Sequence, residues 1–69
     1  MPDTKKSFST PIEILQAALH KEKEAYAFYD ELLKKTSVDF VAELIEELRD
    51  AEYHHMKRIE QRIMELQKG

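Results

Sequence analysis

Between Ile12 and Lys68 the chain carries neither glycine nor proline, the two residues that break helices most strongly. With charged residues at 36% of the chain, so long a stretch without a breaker predicts helix and little else. One local sequence interrupts it. Thr36-Ser37-Val38-Asp39 offers hydroxyls that can cap a new helix and a carboxylate suited to its first turn. Upstream, Thr10-Pro11-Ile12-Glu13 is a start signal: Thr10 can cap, proline suits the first helical position, and Glu13 can reach back to the Thr10 amide. The expected layout is a flexible arm over residues 1–9 and a hairpin over 10–69. Its first helix should run over about 11–35, its turn over 36–38 and its second helix over about 38–67. A connection this short makes the two helices antiparallel neighbours.

Size then asks for help from outside the chain. Domains below about 70–80 residues seldom hold themselves on one core without a disulfide, a metal or a partner. There is no cysteine, which excludes disulfides, thiolate zinc sites, iron–sulfur clusters and a rubredoxin-type iron centre. A metal held by His and carboxylates, oligomerisation, or both remain. No apolar run is long enough for a membrane span or a signal peptide, and a net charge of −3 gives no attraction to nucleic acid or acidic membranes. The expectation is a soluble, cytoplasmic protein.

The apolar stripe of helix 1 reads Ile12, Leu15, Leu19, Glu22, Tyr26, Tyr29, Leu33; that of helix 2 reads Val41, Ile45, Leu48, Glu52, His55, Ile59, Ile63, Leu66. Both are heptad-like seams of the kind that pack bundles, and both are interrupted at their centres by ionisable residues. Glu22 lies fifteen residues before Ser37 and Glu52 fifteen after it. At about 1.5 Å per residue, both carboxylates stand roughly 22 Å from the turn, at one level. His55 shares the face of Glu52 one turn on. Two carboxylates buried without partners would cost several kcal/mol each, and the seams hold no Lys or Arg there. A divalent cation would neutralise them. Oxygen donors with one imidazole suit iron or manganese. One chain supplies half of the ligand set of a di-iron carboxylate bundle, and a two-fold dimer supplies four carboxylates and two imidazoles. The fold expected is therefore all-α: an antiparallel two-helix hairpin that dimerises into a four-helix bundle.

These segments resemble the ferritin-like superfamily in its rubrerythrin-like branch. Glu22-Lys-Glu-Ala-Tyr-Ala-Phe28-Tyr29 is similar to the family's ligand Glu followed by an aromatic-Tyr pair, and Leu48-Arg-Asp-Ala-Glu52-Tyr-His-His55 to its Glu-x-x-His segment. A lone hairpin with these spacings is most similar to the encapsulated ferritins. That resemblance implies a homodimer or higher oligomer and two iron ions per dimer, with manganese or another divalent metal as a substitute. It also implies ferroxidase activity at Glu22, Glu52 and His55, with Glu52 bridging, and delivery of oxidised iron to a nanocompartment shell protein. The sequence given stops at Gly69 with no evident targeting extension, so a truncated chain, a piece of a larger polypeptide or a different small family member is expected alongside that role.

Two rival functions are carried forward. One keeps the site for peroxide reduction, as in rubrerythrins. The other is a metal-free dimerisation or docking module, in which the clustered carboxylates would repel and tend to protonate. Glu24, Glu31, His20 and His54 point away from the seams and are expected to be solvated. Tyr26 and Tyr29 share the face of Glu22; packing is their default, and a phenol hydrogen bond to a ligand carboxylate their functional alternative.

Overall fold

The structure, a computed structural model, describes residues 10–68; the arm expected over 1–9, and Gly69, lie outside that range. Two helices pack against each other, α1 over Pro11–Leu33 and α2 over Asp39–Lys68, and there is no strand among the described residues. The chain is an all-α hairpin.

Helix α1 begins as its sequence dictates. The Thr10 hydroxyl accepts from the Glu13 amide and the Glu13 carboxylate accepts from the Thr10 amide, both at 3.1 Å, with Thr10 itself extended. The far end is shorter than expected. Regular helix stops at Leu33, and the amides of Lys34 and Lys35 donate to the carbonyls of Glu31 and Leu32 in a tightened last turn. Helix α2 starts one residue late. Val38 occupies the cap position, its carbonyl accepting from Val41 and Ala42, while the Thr36 hydroxyl accepts from the Val38 amide at 3.2 Å. The hydroxyl thus braces the turn instead of capping the helix from within.

The α1 seam packs as anticipated, whereas on α2 Leu48, His55 and Leu66 are exposed and Arg49 and Met56 are half-buried, because α2 is rolled away from the expected stripe. Every α1 seam residue from Ile12 to Leu33 is half-buried, as are Val41, Ile45, Glu52, Ile59 and Ile63 of α2. Yet no described side chain is fully buried. A compact domain of this length would have a radius of gyration of about 10 Å; the observed value is 15.5 Å, in a slab 12 Å thick. This is one layer of helix, and layers need a second.

The two broad faces of the slab differ. On one, Tyr26 and Tyr53 lie 6.5 Å apart, Lys57 sits over the Tyr53 ring, and Lys23 and Glu60 border the groove between them. Arg49 closes that side, 5.7 Å over the Tyr26 ring and 3.1 Å from Asp30, an ion pair between the two helices. Helical phase puts Ile14, Phe28, Leu44 and Leu48 on the other face, all exposed, the first three by more than half. One face is dressed with charged and aromatic groups, and the other leaves these apolar side chains uncovered among the described residues, with Glu47, Arg58 and Arg62 along its α2 flank.

Candidate metal centre

Three side chains converge at mid-length. Glu22 comes from α1, Glu52 and His55 from α2, and each offers one ligand atom within 4.8 Å of the others. The equal count from the turn puts the two carboxylates level across the seam, and the three-residue step brings the imidazole onto the same face. His55 Nδ1 stands 3.4 Å from Glu22 Oε1 and 3.4 Å from Glu52 Oε1. The carboxylates are largely covered, with side chains 27% and 20% exposed, whereas His55 is 49% exposed. The cluster is closed on the helix–helix side and open on the apolar face.

One atom here is out of balance. Glu22 Oε1 is buried and has no hydrogen-bond partner. A buried acceptor left unsatisfied costs roughly 1–3 kcal/mol, more when charged. Imidazole nitrogen is a poor remedy at 3.4 Å, and no Lys or Arg makes an ion pair with Glu22 or Glu52 among the described residues. A cation among the three donors would satisfy the orphaned oxygen and the like charges together. The residues present fit a borderline or hard divalent metal with oxygen and imidazole ligands, and no thiolate is at hand to select zinc or copper(I). Three protein donors would leave a bound divalent metal short of ligands, and the open side is where further ones could enter.

The remaining residues fall where helical phase sends them. His20 and Glu24 pair with each other at 3.1 Å on the outer surface, Glu31 pairs with Lys34, and His54 is exposed against the Tyr53 ring. Neither tyrosine of the seam reaches the cluster. Tyr26 is held by Arg49 and Tyr53 on the far face, Tyr29 lies against Phe28, and neither phenol hydrogen-bonds to Glu22 or Glu52 in the hairpin.

Sequence counting missed two arginines. Arg49 is half-buried and reaches a turn along the neighbouring helix to Asp30, a span that level-matching does not register because it ignores side-chain length. Its guanidinium is held above its ordinary, already high pKa, first by that hydrogen bond and against a smaller opposing effect of burial. Arg58 lines the groove that opens from Glu22 and His55, together with Leu15, Ile59 and Arg62. The three-residue step from His55 to Arg58 was the available signal.

A model of the rubrerythrin family matches residues 13–69, which takes in both helices and all three clustered residues. No curated protein and no solved structure matches the chain. Domains of the rubrerythrin type bind a pair of iron ions and have an oxidoreductase kind of activity. The match spans most of the chain, so the chain belongs to the rubrerythrin family, a ferritin-like protein of the di-iron class.

Proposed function

We propose that two copies of the hairpin join through their apolar faces, that Glu22, Glu52 and His55 of both hold two iron ions between them, and that Fe²⁺ is oxidised there by O₂ or peroxide. The observation that carries this reading is the convergence of three donors around a buried, unpartnered carboxylate oxygen on the uncovered side of a one-layer fold. Charge supports it. Four carboxylates from two copies balance two divalent ions, as the di-iron bundles do. In this reading Fe²⁺ is the substrate: two ions lose one electron each, and one peroxide takes both electrons with two protons and leaves as two waters. The chain's own contribution is position and dryness. The carboxylates fix the ions at one level, His55 adds a neutral donor, and the covering copy excludes bulk water. Manganese suits the same donors, and storage of the oxidised iron inside a protein shell is the destination the family resemblance implies.

The test is anaerobic loading with Fe²⁺ followed by admission of air, with ferric absorbance followed in time. The wild type and Glu24→Ala should both oxidise iron in a fast phase that Glu52→Ala lacks. Equal rates in all three would sink the proposal.

The family match favours a second reading at the same site, in which removal of peroxide is the purpose and the iron is re-reduced by a separate electron donor. Rates with peroxide and with O₂ separate the two. Storage predicts net accumulation of ferric iron, whereas peroxide reduction predicts many turnovers per iron once a reductant is supplied.

A further inference from the structure

The exposed flank of α2 beside the metal cluster carries an ordered row: Leu44, Glu47, Ala51, His55, Arg58 and Arg62, at steps of three or four residues. All six are exposed. Within this row Glu47 and Arg58 are the Lys, Arg, Asp or Glu residues that make no ion pair or hydrogen bond among the described residues, whereas Arg62 is paired with Glu65; Glu43 and Glu46, equally unpaired, lie off the row. They are eleven residues apart, three helical turns, which returns them to within about 20° of the same line along the helix. The midpoint between them falls between Glu52 and Tyr53, at the level of the candidate metal ligands. The charge around them is also polarised. From Asp39 to Ala51 the helix carries five acids and one base; from Tyr53 to Lys68 it carries two acids and four Lys or Arg.

We propose that Glu47 and Arg58 form a reciprocal charge clamp between two copies of the hairpin, fixing them antiparallel about a two-fold axis at the level of Glu52. With that axis, Arg58 of one copy faces Glu47 of the other, and the pair repeats on the opposite side. The acidic half of each α2 then meets the basic half of its neighbour. In the parallel arrangement Arg58 would face Arg58 and Glu47 would face Glu47, and like charges opposed across an interface oppose association. The small Ala51 lies near the axis, where the two helices come closest. A metal site shared equally by two copies requires an axis through that same level, so the charge row and the ligand row ask for one geometry from independent residues. The inference rests on the dimer of the proposed function and adds its direction and register.

The experiment is a charge swap measured in metal-free protein by sedimentation equilibrium, with helicity checked by circular dichroism. Glu47→Arg and Arg58→Glu should each raise the dimer dissociation constant by about tenfold or more, because each puts two like pairs across the interface. The double variant should return to within about threefold of the wild type, since it restores both pairs in reverse. The chain has no cysteine, so Leu44→Cys adds a clean probe. In the antiparallel dimer the two thiols lie roughly 25 Å apart along the axis and should not join under mild oxidation. Single variants as strong as the wild type, a double variant as weak as the singles, or ready cross-linking through Leu44→Cys would each overturn the clamp. Failure of the metal reading looks different: the swap pattern would hold while the wild type bound no iron.

Discussion

Glu22 presents two faces of one physical fact. Its Oε1 is buried and unpartnered, which makes it a cost to the metal-free hairpin and a ready ligand for a cation. Glu22→Gln keeps the shape and removes the charge. It should leave the thermal midpoint of the metal-free protein unchanged or raised, while weakening Fe²⁺ binding at least tenfold in an anaerobic titration. A variant that lost stability and still bound iron normally would assign Glu22 to structure alone. Arg49 and Asp30 are the opposite case, a pair that works without metal. Arg49→Met and Asp30→Asn should each lower the thermal midpoint, and the double variant no further than the worse of the two, if the contact is the shared cause. The raised arginine pKa carries a simple sign: its contribution is complete at every pH below the ordinary arginine range and is lost only above it, so the arginine adds no pH dependence under assay conditions. The convergence of Glu22, Glu52 and His55 was legible because it obeys periodicity and level. Arg49 was not, because a long side chain crosses levels.

At the scale of the element, helix starts were easier to read than helix ends. The Thr10–Glu13 box depends on two named side chains and forms as the sequence spells it. Thr10→Ala should cost about 1 kcal/mol in urea unfolding of the assembled protein, and Thr10→Ala with Glu13→Ala less than the sum of the two. The turn was located correctly and its chemistry was not. Thr36 braces the Val38 amide, and Val38, whose side chain can accept no hydrogen bond, takes the cap position. Helix ends are set by where the chain must turn to keep the seams in register, and Lys34 and Lys35 give no local sign of that.

At the scale of the whole molecule, the described residues form a single helical layer 12 Å thick, with no fully buried side chain among them and a face on which Ile14, Phe28, Leu44 and Leu48 are exposed, whereas domains are ordinarily built of two packed layers. Small size, absent cysteines and a candidate ligand set that one chain leaves incomplete are why the sequence raises the expectation of a second copy. What it could not indicate was which flank of each seam would stay open, since that follows from how α1 and α2 roll against each other. Leu44→Lys tests the cover: in a lone hairpin it touches nothing, whereas in the dimer it buries a charge. It should turn the sedimenting species into monomer and abolish tight Fe²⁺ binding together, with helicity retained. The central claim, that one metal pair is shared by two copies, has its most direct test in anomalous diffraction at the iron edge from crystals grown with iron. Two peaks about 3.5–4 Å apart, each ringed by Glu22, Glu52 and His55 from the two copies, are the predicted result. Peaks confined to a single hairpin, or iron bound away from these residues, would contradict it.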